Sequence, residues 1–147
     1  GANLWGLTDD IIVHGEERSE LGNYVRPRAT ELGLTLKPDA EPEKGFFFRS
    51  DHFPFAKAGV PSLWIEHGRD YRGQPTGWGA DIQADYTANR YHAPSDEFNE
   101  EFTFDGAVQQ GSLLLAVLFD LAADVTWPNW YGGQEFKGTR DTMLENR

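Results

Sequence analysis

Gly45-Phe-Phe-Phe-Arg-Ser-Asp-His-Phe-Pro-Phe-Ala-Lys-Ala-Gly59, running straight into Val60-Pro-Ser-Leu-Trp-Ile-Glu66, is the stretch on which the reading of this chain turns. It is the most aromatic part of the sequence, yet Arg49, Ser50, Asp51 and His52 sit inside it. Ser50 or Asp51 can cap a short helix that runs to Ala58 and closes at Gly59, because short polar side chains accept hydrogen bonds from the free N–H groups of a first turn. The run from Val60 to Glu66 then has the length and the β-branched and aromatic content of a buried strand.

Working outward, Leu7-Thr-Asp-Asp-Ile-Ile-Val-His14 predicts another short strand, ending at Gly15. Glu17 to Leu34 places Leu21, Tyr24, Val25, Ala29 and Leu32 near helical spacing, with Gly33 as the stop and Pro27 as an expected kink or break. Leu34 to Lys37 fits a third short strand, and Pro38 to Glu43 a polar loop. On the other side, His67 to Arg90 is rich in Gly, Asp and Tyr without periodicity and reads as a long loop, the kind of segment that carries function. Phe104 to Ala123 predicts a long apolar helix with Asp105 as its N-cap, and the tail from Trp127-Pro-Asn-Trp-Tyr131 is expected to fold back on the body. Strands alternating with helices make this an α/β domain. Three strands beside two long helices are few for that class, so further sheet partners are expected elsewhere.

The 147 residues are 39% hydrophobic and 14% aromatic, enough for a core of single-domain size. A net charge of −11 with scattered Lys and Arg argues against nucleic acid, whose phosphates demand clustered positive charge. No uninterrupted apolar run reaches the roughly 18–20 residues of a membrane span, the longest, Leu113 to Leu121, being broken by Asp120. With no cysteine, any metal must be held by His, Asp or Glu. Four histidines, at 14, 52, 67 and 92, form no HExxH and no helical pair. His92 stands apart: it ends the long loop, follows Tyr91 and precedes Pro94 and Asp96, and imidazole is a common protein ligand for zinc.

Two motifs together resemble the zinc aminopeptidases and their relatives, the glutamate carboxypeptidases and glutaminyl cyclases. Arg49-Ser-Asp-His-Phe-Pro-Phe-Ala-Lys-Ala-Gly-Val-Pro-Ser62 is similar to the family's (S/D)-D-H-x-P-F-x-x-x-G-(I/V)-P, and Tyr91-His92-Ala-Pro-Ser-Asp96 to its Y-H-x-x-x-D. Their order and separation agree, as does Gly77-Trp-Gly79 between them, and the likeness covers roughly residues 8 to 125. The resemblance implies a partial phosphorylase/hydrolase-like three-layer α/β sandwich with a mixed sheet. It implies that His92 is a ligand of one of two zinc ions, that the Tyr91 hydroxyl stabilises the tetrahedral oxyanion, and that Asp51 orients neighbouring groups around the metal site. Arg49 and His52 become candidate substrate contacts or, equally, supports for the aromatic segment. Trp64, Tyr71, Trp78 and Tyr86 are candidates either for a specificity pocket or for the core.

The sequence also departs from the family. A first histidine, a bridging aspartate, a glutamate pair and a further aspartate belong upstream of the Asp51 motif. The stretch from Gly1 to Phe48 offers only His14 and Glu16-Glu17, in the wrong order. Residues 1–147 are therefore expected to be the C-terminal portion of a single zinc peptidase domain, beginning just past the missing ligand, at Gly1-Ala-Asn3. Two zinc ions would act in the complete protein and none in this chain, since affinity collapses with one imidazole and no bridging carboxylate. Peptide is the expected substrate, and a truncated sheet edge would favour self-association. Relatives are often exported, which implies a periplasmic or extracellular setting. Two other readings stand beside this one: a glutaminyl-cyclase-like acyltransferase, whose relatives usually carry tryptophan where Tyr91 stands, and a peptidase-like interaction module without catalysis.

Overall fold

The computed structural model describes residues 2–146; Gly1 and Arg147, the two ends of the expected domain, lie outside the described residues. All three predicted strands form, as β1 (Asp10–His14), β2 (Thr35–Lys37) and β3 (Trp64–His67), in the order β2-β1-β3. The sheet is mixed: β2 runs parallel to β1, with Asp10 opposite Thr35, and β3 antiparallel to it, with Ile12 opposite Glu66. Being central, β1 is buried along its whole length, which is why it reads as a nearly unbroken apolar run. It is shorter than predicted; Leu7 to Asp9 only approach the sheet, through a bridge from Thr8 to Tyr71.

The pleat sends Ile11 and Val13 to one face, where they meet α1 (Gly22–Glu31) and α5 (Asp105–Ala123). Val25 and Ala29 of α1, Leu113 and Val117 of α5, and Leu34 and Ile65 complete that core. Of the expected kink or break at Pro27, the break does not occur: α1 runs through it. Burial of Val25 and Ala29 on either side of it outweighs the hydrogen bond the ring removes. The helix ends as the sequence indicates, with Gly33 in the left-handed conformation at φ 70°.

The segment from 45 to 59 forms two short helices, α2 (Phe46–Arg49) and α3 (Phe53–Lys57). Neither Ser50 nor Asp51 caps α3, whose N-cap is His52; the Ser50 hydroxyl instead donates to the Phe46 carbonyl at 2.9 Å and closes α2. The long loop expected from 67 to 90 is only partly a loop, because Trp78–Asn89 is a helix, α4. Its apolar residues follow no stripe, so periodicity missed it; its first turn is fixed by a backbone fit. A Cβ on Gly79 would lie 2.2 Å from the Arg69 carbonyl oxygen, so only glycine lets α4 approach that loop.

Asp105 is the first residue of α5 rather than its cap, which is Phe104. By length and composition alone this 19-residue helix, of mean hydropathy 1.4, could span a membrane, although no single apolar run in it is long enough. One face nonetheless packs in the core, Gln110 donates to the Ile65 carbonyl at 2.9 Å, and Asp120 pairs with Arg28. The opposite face leaves Val108, Leu115, Leu118 and Phe119 exposed. The tail folds back as expected: Trp130 donates from its indole to the Gly59 carbonyl at 3.0 Å, and with Phe136 it packs on Phe47 and Ala56. A final helix, α6 (Lys137–Glu145), follows.

Candidate functional site

Tyr91 and His92 stand on an exposed turn directly after α4. The amides of Arg90 and Tyr91 both donate to the Tyr86 carbonyl at 2.9 Å, and Ala93 N–H to Arg90 at 2.9 Å, so the chain reverses sharply there. His92 takes φ 59°, and among the described residues it is the sole non-glycine in that left-handed region. Such conformations cost a non-glycine residue roughly 1–3 kcal/mol and collect at functional sites. The His92 ring lies stacked on that of Tyr91, with centroids 3.8 Å apart, and both side chains face solvent. A shallow cleft of about 600 Å³ adjoins the turn, lined by Arg90 and Ser95 together with Glu97, Glu100 and Glu101.

Asp51 is exposed on the turn between α2 and α3. Arg49 is exposed as well and reaches only the Lys44 carbonyl, at 3.5 Å. His52 is half-buried against the Phe47 ring, at 4.7 Å, and its Nε2 is buried without a partner. Burial lowers its pKa. No hydrogen bond, ion pair or ring contact among the described residues joins the Asp51 motif to the Tyr91-His92 turn. Of the pocket candidates, Tyr71 is core, Trp64 stacks on His14 at 4.5 Å, Trp78 packs on Tyr71, and Tyr86 meets Trp5 edge-on.

The tightest polar cluster lies elsewhere. His14, buried on β1, bonds Glu66 through Nε2 at 2.9 Å and Asp39 through Nδ1 at 3.1 Å, and Glu66 also accepts from Arg69 at 2.6 Å. Burial alone would lower the His14 pKa, but the Glu66 hydrogen bond and charge, joined by those of Asp39, raise it. Burial would likewise raise Glu66, yet the His14 hydrogen bond and the Arg69 guanidinium bring it down to about 2. In the sequence His14 reads only as the end of a strand; that it faces Trp64 and reaches Glu66 follows from the pairing of β1 with β3, which no residue pattern announces. Asp10 was missed for the same reason. Fully buried, it accepts the amides of Arg69 at 3.1 Å and Asp70 at 2.8 Å and so fixes the exit from β3.

The profile of peptidase family M28 matches residues 5–117. With most of the chain inside that match, including both motifs, the protein belongs to peptidase family M28, a family of peptide-bond hydrolases that typically depend on zinc. Neither the curated proteins nor the solved structures give a significant match.

The donor set on this chain does not by itself fit a zinc pair. Among the described residues no three His, Asp or Glu side chains converge as a metal-binding group, and the His92 imidazole stands on its turn without a carboxylate against it.

Proposed function

We propose that this chain is the C-terminal portion of a zinc metallopeptidase domain of aminopeptidase type, which in the complete protein hydrolyses N-terminal peptide bonds with two zinc ions. On this reading the 147 residues are inactive alone, and the sheet is one part of a three-layer sandwich. The observation that carries it is the Tyr91-His92 turn inside the family match: a strained, exposed histidine beside an exposed tyrosine, on a backbone tied to α4. His92 supplies one imidazole ligand. The phenol of Tyr91, which makes no hydrogen bond among the described residues, can donate to the oxygen that gains charge as a peptide carbonyl becomes tetrahedral. Asp51 orients groups of the same site from the α2–α3 turn, with Arg49 and His52 toward substrate, once the remainder of the protein brings the two motifs together.

In the complete protein Tyr91→Phe lowers kcat by about 10²–10³ with zinc content unchanged, as expected for a donor that meets charge mainly in the transition state. His92→Ala removes zinc and activity together. Elemental analysis beside steady-state kinetics separates the two variants; full turnover in Tyr91→Phe, or unchanged metal in His92→Ala, would sink the assignment.

A further inference from the structure

The motif Tyr91-His92-Ala-Pro-Ser-Asp96 keeps its last residue without an assigned task. Asp96 is exposed, and its Oδ2 accepts the Tyr86 hydroxyl at 2.9 Å. Tyr86 lies in the last turn of α4, and its backbone carbonyl is the one that receives the amides of Arg90 and Tyr91. One residue therefore holds both sides of the His92 turn, the entry by its carbonyl and the exit by its hydroxyl. Its ring also meets Tyr91 edge-on at 6.2 Å, and on its other side meets Trp5 at 5.5 Å. Trp5 in turn packs on the buried His67 ring at 5.7 Å, at the end of β3. Asp96 N–H closes onto Ala93, at 3.0 Å, and the Ser95 hydroxyl onto Asn89, at 2.8 Å.

A left-handed histidine on an exposed turn persists only where its surroundings over-determine it. Among the described residues no core side chain covers His92, and two side-chain bonds cross the turn: Ser95 to the Asn89 carbonyl, and Tyr86 to Asp96, the second made by the same residue whose carbonyl receives the entry amides. We propose that Tyr86 and Asp96 are positioning residues, a latch across the turn that holds His92 in its left-handed conformation and so aims the Tyr91-His92 pair. The inference rests on the reading of that pair as the working part of the chain, and its test is independent of metal and of activity.

The test is made on this chain by NMR and amide hydrogen exchange. Tyr86→Phe and Asp96→Ala each remove the latch; Asp96→Asn keeps an acceptor oxygen and serves as the rescue. In the first two, exchange at the Ala93 and Asp96 amides rises by about fivefold to tenfold, the change in open population that loss of one hydrogen bond produces. The His92 Cα and Cβ shifts move away from left-handed values, Asp96→Asn stays close to the wild type in both, and the Ile12 and Val13 amides of β1 are unaffected. Unchanged His92 shifts in Tyr86→Phe, or a rise in exchange shared equally by β1, would overturn the latch. The functional reading fails by a different route, through unchanged zinc in His92→Ala of the complete protein, which moves none of these measurements.

Discussion

His14 and His92 differ in almost everything that surrounds them, and the difference separates a histidine that builds from one held ready. His14 is buried on the central strand, stacked on Trp64 and bonded through both ring nitrogens to carboxylates. Every donor site on its ring is used, so nothing remains for a ligand. His92 is exposed, stacks its ring on that of Tyr91, and sits in a backbone conformation that costs free energy. A saturated histidine stabilises its fold; an unsaturated one on a strained turn weakens it slightly and is available for chemistry.

The largest effect expected from this contrast is on His14. Replacing it with Ala removes the imidazole that bonds both Asp39 and Glu66 and the stacking partner of Trp64, and removing one partner of a buried ion-paired cluster costs about 3–5 kcal/mol. Urea unfolding measures it. A loss under about 1 kcal/mol would show that the cluster is no more than a surface ion pair.

The pH dependence sharpens the same point. Because the folded His14 pKa is raised above 6.5, its stabilisation is fully present below that pH and is lost as pH rises through the folded value. Glu66 runs the other way, contributing above its ordinary 4.5 and losing that contribution as pH falls toward about 2. His52 and His67, lowered first by burial, favour folding above 6.5; of these only the part of the His52 shift that the His14 charge causes differs between wild type and variant, and it is a lesser cause there than burial. The advantage of the wild type over His14→Gln is therefore greater at about pH 5.5 than at about pH 8.5. A difference that is flat or grows with pH would contradict the assignment of His14 as the raised group.

Helix α5 carries both characters on one element, with Leu113 and Val117 in the core and Leu115, Leu118 and Phe119 exposed on the far side. Beside it, β3 pairs on one side only, at the edge of the sheet. An apolar helix face and an open strand edge favour association, so this chain is expected to self-associate, and Leu118→Lys with Phe119→Glu to reduce it. Light scattering that finds a monomer at high concentration in the wild type would count against this.

The smallest effect is at His92 itself. His92→Gly relieves left-handed strain but adds freedom to the unfolded chain, two opposing contributions that leave stability within about 1 kcal/mol of the wild type. Thermal unfolding checks it; a loss as large as that of His14→Ala would mean that the turn is part of the core after all.

Much of the body was legible because local rules and tertiary structure agree there. Ile11 to Val13 is apolar and β-branched enough to read as a strand, Leu34 to Lys37 fits a short one, and Gly33 marks the end of α1 by the conformation it alone adopts without cost. The two motifs at Asp51 and His92 were readable as words, and the family match covers both. What reading along the chain missed depends on contacts across it. α4 has no apolar stripe and is seated by the fit of Gly79 against Arg69. Pro27 survives inside α1 because Val25 and Ala29, on either side of it in the helix, are buried in the core between sheet and helices.

The sequence alone determined where the three strands lie along the chain, the acidic and cysteine-free chemistry, and the family, since each is a property of residues and their neighbours along the chain. Only the tertiary structure decided that His14 is locked between Asp39 and Glu66, which lie 25 and 52 residues away, that Asp10 anchors the exit of β3, and that His92 adopts a left-handed turn whose far side bonds Tyr86 through Asp96. The reason is physical: a histidine's role is set by which atoms saturate its two nitrogens, and those atoms arrive by folding rather than by adjacency.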